Sequence, residues 1–137
     1  MDQQQQFTIL GIPGSLRKAS FNRGLLRAAQ DSAPAGVTIE IYDLDDIPLY
    51  NGDVEAAGVP QSVQEFADAI RRADALLIAS PEYNYSVSGV LKNAIDWASR
   101  PTVKNPFRHK PIGIIGASGG QYGTVRSQTV LRQVLAS

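Results

Sequence analysis

The strongest constraint on this chain is an alternation: short, continuously apolar runs take turns with amphipathic stretches of helical spacing. Four runs read as strands, Phe7 to Ile12, Val37 to Tyr42, Ala75 to Ala79 and Pro111 to Ala117. Runs this short and this uniformly apolar suit strands covered on both faces, as in a parallel sheet. Helical spacing follows each. The first stretch, about Asn22 to Ser32, turns Leu25, Leu26, Ala28 and Ala29 inward before Pro34-Ala-Gly36 breaks it. Gln61 to Ala73 carries Val63, Phe66, Ala67 and Ile70 on one face. A third helix, ending near Arg100-Pro101, has Val87, Val90, Leu91, Ala94, Ile95 and Ala98 apolar. The fourth, Thr124 to Leu135, has Val130, Leu131, Val134 and Leu135. A long acidic loop through Pro48, Gly52, Gly58 and Pro60 separates the second strand from the second helix. A β-α order repeated in this way predicts a doubly wound α/β domain with right-handed crossovers.

Length and composition narrow the function. A chain of 137 residues holds one core. Residues 1–6, with glutamine at positions 3 to 6, read as a disordered tail, and residues 7–137 as the domain. Lysine plus arginine and aspartate plus glutamate number 13 each, so no net field favours nucleic acid or an anionic membrane. With no cysteine and one histidine, thiol catalysis, disulfides, iron–sulfur ligation and a His-rich metal centre are excluded. No signal peptide and no run of about 20 apolar residues is visible, which leads to the expectation of a cytoplasmic protein. Asp43, Asp45, Asp46, Asp53 and Glu55 cluster in a loop that reads as solvated rather than metal-binding, and His109 sits in a polar, exposed stretch.

Doubly wound sheets collect ligands at the carboxyl ends of their strands. Three unusual loops fall on that edge. Gly14-Ser-Leu-Arg-Lys-Ala-Ser-Phe-Asn22 leads into a helix start, where free N–H groups and the helix dipole suit a phosphate. It matches neither the Walker nor the dinucleotide pattern, and it is also compatible with a plain turn capped by Ser or Asn. Pro81-Glu-Tyr-Asn-Tyr85 offers aromatic surface and backbone polar groups to a flat ligand, or else its tyrosines pack on the helix that follows. Ser118-Gly-Gly-Gln-Tyr-Gly123 lets backbone approach a ligand closely, or is a flexible turn. Their shared edge favours one composite site.

Gly14-Ser-Leu-Arg-Lys-x-Ser-Phe-Asn22, Ile47-Pro-Leu-Tyr50, Pro81-Glu-Tyr-Asn-Tyr-Ser86, Leu91-Lys-Asn-Ala-Ile-Asp-Trp97 and Leu131-Arg-Gln133 together resemble the NADPH-dependent FMN reductases. Within that family the likeness is to the flavodoxin-like chromate and quinone reductases, and it runs from about Phe7 to Leu135. The resemblance implies a flavodoxin-like parallel sheet and a noncovalent FMN. It places Ser15, Arg17, Ser20, Phe21 and Asn22 at the phosphate and ribityl chain. Pro81, Glu82, Tyr83 and Asn84, with Tyr85, would flank the isoalloxazine, and Ser118, Gly119 and Gly120 would close its other side. It further implies a homodimer or homotetramer, with Tyr50 near a neighbour's site.

The activity so implied is hydride transfer from NADPH or NADH to FMN, and then to a small acceptor such as a quinone, chromate, an azo or nitro compound, or free flavin. No catalytic side chain is named. Glu82 reads as a helix-dipole partner rather than an acid or base. Arg126 either attracts an anionic acceptor or nicotinamide phosphate, or is solvated or paired across a subunit contact. Trp97 is expected on the sheet or at such a contact. Thr129 departs from the aromatic residue that many of these relatives carry. The family's strand order is 2-1-3-4-5, whereas this sequence stops at Ser137, inside or just after the fourth helix. The order 2-1-3-4 is therefore expected, without a fifth strand or closing helix. That leaves Ile112 to Ile115 as an apolar edge, prone to aggregation or enforced oligomerisation. The alternatives are a flavodoxin-type FMN electron carrier that does not turn over NAD(P)H, and an inactive truncated remnant.

Overall fold

Valine, isoleucine and leucine crowd the four apolar runs, and such side chains fit a pleated surface covered on both faces. In the computed structural model, which describes residues 5–137, these runs form β1 (Phe7–Pro13), β2 (Val37–Ile41), β3 (Ala75–Ala79) and β4 (Ile112–Ile115). All pair in parallel in the order β2-β1-β3-β4, as expected. The helices are α1 (Phe21–Asp31), α2 (Gly52–Ala57), α3 (Gln61–Arg72), α4 (Gly89–Ala98) and α5 (Val125–Leu135). α1 packs on β1, β2 and β3, while α3 and α4 pack together. Right-handed crossovers put those two sets on opposite faces.

The register sets Leu10 beside Leu76 and Ile12 beside Ile78, and these continue to Ile112 and Ile114. Above this row lie Val63, Phe66, Ile70, Leu91, Ile95, Trp97 and Leu131 in one cluster. Each fully buried side chain of this size contributes roughly 1.5–3 kcal/mol. That exceeds any propensity difference within a helix, so burial decides where α3, α4 and α5 lie. On the other face Leu26 is fully buried, and a Cβ added at Gly11 would sit only 3.2 Å from it.

Three expectations need correction. Ala28 is exposed, because the stripe of α1 that meets the sheet runs through Asn22, Leu25, Leu26 and Ala29 and leaves position 28 on the flank. The acidic loop contains α2, started by Asn51, whose Oδ1 accepts from Asp53 N at 2.9 Å, and ended by Gly58 at φ 139°. The third helix begins two residues after Val87, at Gly89. Ser88 caps it by accepting from Leu91 N at 3.3 Å, and donates to the Gly14 carbonyl at 2.6 Å. Of the expected disordered tail, residues 1–4 lie outside the described residues, and Gln5 and Gln6 are exposed and irregular. His109 is exposed, as expected.

Candidate functional site

All three singled-out loops sit at the carboxyl edge of the sheet, and hydrogen bonds and close contacts tie them together. β1 hands over to the first loop at Gly14, whose N–H donates to Ala79 O at 2.9 Å. A side chain there would bring Cβ to 2.7 Å from Pro81 Cδ, so glycine lets the first and second loops touch. Ser20 has extended backbone and caps α1, accepting from Asn22 N at 3.2 Å. Ser15 Oγ accepts from Arg17 N at 3.3 Å. Both hydroxyls are buried, and each keeps a proton to donate. The Asn22 amide is engaged on Ala117, donating to its carbonyl at 3.2 Å and accepting from its N–H at 3.0 Å. It thus joins the start of α1 to the end of β4.

The second loop turns sharply. Tyr83 N–H donates to Ser86 O at 3.1 Å and Ser86 N–H to Tyr83 O at 3.0 Å, closing a two-residue turn. Its central residues, Asn84 and Tyr85, both adopt left-handed backbone at φ 49° and 68°. Primed turns demand this conformation, which costs a residue with a side chain roughly 1–2 kcal/mol. Below the loop, the Ser80 and Ser127 hydroxyls lie 2.7 Å apart, and Ser127 donates to Pro81 O at 2.8 Å. Gly116 permits the third loop to begin there, because a Cβ would lie 2.0 Å from Thr124 Oγ1 and 2.7 Å from Ser80 O.

Between the loops lies a cleft of about 250 Å³, lined by Ser15, Arg17, Ser20, Phe21, Asn22, Pro81, Glu82, Tyr83, Ala117, Ser118 and Gly119. Ten of these are residues singled out in the sequence. Asn84, Tyr85 and Gly120 do not line it. Ala117 is the addition, and its only signal was a position at the end of the fourth apolar run. Ser80 and Ser127 gave no local signal, since their contact spans 47 positions.

Glu82 is a helix-dipole partner, but of α5 rather than of the helix that follows it in sequence. Its Oε2 accepts from Arg126 N at 2.9 Å and Ser127 N at 3.1 Å, and its Oε1 lies 3.0 Å from Arg126 Nε. Arg126 is accordingly held in an ion pair within this chain. A second cluster lies away from the cleft. There Glu55 accepts from Thr102 Oγ1 at 2.6 Å and from the Tyr50 hydroxyl at 2.7 Å. These bonds, Thr102 first, hold its carboxyl below the usual range, and the Glu55 acceptor raises the Tyr50 phenol above its own. Trp97 is buried on the sheet side and donates to Pro48 O at 2.8 Å.

A phosphate at the cleft would meet the Ser15 and Ser20 hydroxyls, Arg17 and the first turn of α1, which is a fitting donor set. A Cβ at Gly119 would meet nothing within 4 Å, so the opposite wall is open to a ring. The volume falls below the roughly 300–1,000 Å³ of an enclosed small-molecule site, so a ligand of flavin size would lie partly outside the cleft. A larger hollow of about 360 Å³ between α4 and the end of α5 is lined by Lys92, Ile95, Asp96, Phe107 and Val134, among others. It lacks a helix N-terminus and a free cation, because Lys92 is paired with Asp96 at 2.7 Å, and it is a poorer match to a phosphate. Among the described residues, no group of three His, Asp or Glu is placed to hold a metal ion, and no helix is long and apolar enough to cross a membrane.

Fold and cleft define a flavodoxin-like α/β protein with an anion-receiving edge. An azoreductase structure of only 16% identity, at a TM-score of 0.69, shares that fold. Residues 7–137 match the family model described as NADPH-dependent FMN reductase, and the chain belongs to that family. It is 57% identical over 127 residues to an NAD(P)H-dependent FMN reductase of Pseudomonas aeruginosa, covering 93% of this chain and 68% of that one. To a quinone reductase of Pseudomonas putida it is 42% identical, covering 96% and 70%. The solved flavoenzyme NAD(P)H:(acceptor) oxidoreductase of Paracoccus denitrificans superposes with a TM-score of 0.88 at 39% identity, covering 95% and 71%.

Proposed function

We propose that this chain binds FMN noncovalently at the strand-end cleft and acts as an NAD(P)H:acceptor oxidoreductase, with quinones as the first acceptor class to test. The observation that carries the reading is the convergence on one edge of the α1 N-terminus, two buried serine hydroxyls and Arg17 with an open glycine wall. Family membership and the names of the relatives support it.

The residues divide the work by their chemistry. Ser15, Ser20, Arg17 and the first-turn N–H groups of α1 bind the phosphate. Phe21 stands beside this end, with Arg17 5.4 Å from its ring centroid. Pro81, Tyr83 and Asn84 form one wall for the ring, and Ser118, Gly119 and Gly120 the other. Asn22 sets the separation of the walls through Ala117 rather than reaching for the ligand itself. When bound, FMN supplies the hydride and electron chemistry, and the protein supplies orientation and a stacking face. Glu82 is occupied by α5 and is no proton donor to the cleft.

Aerobic NADPH oxidation by the FMN-loaded chain, with and without a quinone, tests the proposal. Quinone-stimulated oxidation is expected, and a parallel NADH series ranks the two donors. Full FMN loading without turnover would instead identify an electron carrier of flavodoxin type, and failure to load FMN would reject both readings. The proposal extends to a homodimer or homotetramer, supported by Leu49, 84% exposed beside Tyr50 and Val54. Light scattering should show an oligomer that Leu49→Asp weakens. A wild-type monomer at working concentration would overturn this extension.

A further inference from the structure

Arg126 joins two loops that have no other side-chain bridge of this kind. Its guanidinium lies 3.8 Å from the Tyr85 ring centroid and 4.6 Å from that of Tyr122, so it forms a layer between two aromatic faces. Tyr85 belongs to the left-handed turn of the second loop, and Tyr122 to the glycine loop. Glu82 fixes the layer from the side, one oxygen on Arg126 Nε and the other on the first two N–H groups of α5. The Glu82 side chain is only 10% exposed, whereas Tyr85 and Tyr122 are 70% and 63% exposed. The two rings would swing freely without the cation, since neither phenol hydroxyl has a protein partner among the described residues. A planar guanidinium can stack on two rings while pairing with a carboxylate, and a lysine ammonium cannot reproduce that geometry.

We propose that Arg126 is a positioning residue that couples the two walls of the flavin site, and that the Glu82–Arg126–Tyr85–Tyr122 cluster sets the width of its mouth. This assignment rests on the FMN reading for its consequence but not for its existence. Arg126 does not act as a trap for an anionic acceptor, because its charge is already matched by Glu82. Instead it transmits order, so that a change in one loop is felt in the other although their backbones are separate in sequence.

Hydrogen exchange on the cofactor-free protein reads the coupling directly. Tyr85→Leu should accelerate exchange not only at Tyr83 and Ser86 but also across residues 118–124, and Arg126→Ala should do the same in both loops while β1 and β3 stay protected. FMN titration, followed by flavin fluorescence, reads the consequence: Arg126→Ala should weaken FMN about tenfold, the size of one desolvated cation–π contact. Arg126→Lys keeps the ion pair, so it should restore the melting temperature of the apoprotein without restoring FMN affinity. A merely structural role would make affinity and melting temperature rise and fall together. The proposal is overturned if Tyr85→Leu leaves exchange at 118–124 unchanged, or if Arg126→Lys rescues affinity and stability alike. Wild-type protein that binds no FMN would reject the flavin reading, and the exchange data would still decide the coupling.

Discussion

The same chemical parts occur twice in this molecule and are wired differently. Beside the cleft, a carboxylate (Glu82), a guanidinium (Arg126) and two tyrosines are arranged with the carboxylate on a helix N-terminus and the cation stacked between the rings. At the far cluster, Glu55, Arg100 and Tyr50 meet with Trp97 and Thr102. There two hydroxyls bond the carboxylate, and Arg100 stands 3.5 Å from it and 5.4 Å from the Tyr50 ring centroid. Tyr50 lies edge-on to Trp97 at 4.9 Å, and Asn93 holds its backbone N–H at 2.8 Å. The first arrangement spans two loops and leaves ring faces open to solvent. The second pins one loop to α4. Where the cation is the joint, the cluster links mobile parts around a site. Where hydroxyls are the joint, it fastens a loop to the core and makes that fastening depend on pH.

The largest effect expected separates the two regions by steric space. Gly116→Ala places Cβ against Thr124 and the Ser80 carbonyl beneath the first cluster, and should cost about 3 kcal/mol. Gly52→Ala, beside the second, meets only Tyr50 Oη at 3.8 Å and should change stability by no more than about 0.5 kcal/mol. Urea midpoints of the two variants measure the contrast, and equal losses would erase it. Next in size, Glu82→Ala removes both a helix cap and an ion pair and should cost about 2 kcal/mol, whereas Glu82→Gln keeps an acceptor for the α5 N–H groups and should cost about half as much. A smaller effect comes from pH. Because folding lowers the Glu55 pKa, its contribution is present above the ordinary carboxylate value and is lost as pH falls through the folded one. Tyr50 has the opposite sign, its contribution being present below the ordinary phenol value and lost as pH rises through the raised one. Glu55→Gln should therefore flatten the acid limb of a stability–pH curve, and an unchanged limb would assign it to other carboxylates. Least of all, Asp96→Asn breaks an exposed pair with Lys92 and should shift stability by less than about 0.5 kcal/mol in a thermal melt.

Strands and long helices were legible because burial on both faces writes itself as continuous apolar runs, as in Ala75–Ala79, and as regular helical spacing, as in Val63, Phe66, Ala67 and Ile70. α2 was not, since its six residues bury none of their side chains and only Asn51 marks its start. The site edge could be read from loop composition together with the family likeness. What those loops do to one another could not. Glu82 reaches a helix 44 positions away, Asn22 reaches Ala117 across 95, and Tyr85 sits in a turn conformation that favours glycine. Such partners are fixed by the way the sheet folds over, and no local pattern announces them.

The central claim is that a phosphate sits against Ser20 at the start of α1. Ser20→Asp tests it most directly, because aspartate caps a helix as well as serine but puts a negative charge where the phosphate belongs. Cofactor-free wild type titrated with FMN should quench its fluorescence to saturation at one flavin per chain. The variant should melt as the wild type does and bind FMN about 100-fold more weakly, the loss of roughly two charge-assisted hydrogen bonds. A Ser20→Asp chain that binds FMN with wild-type affinity would contradict the account.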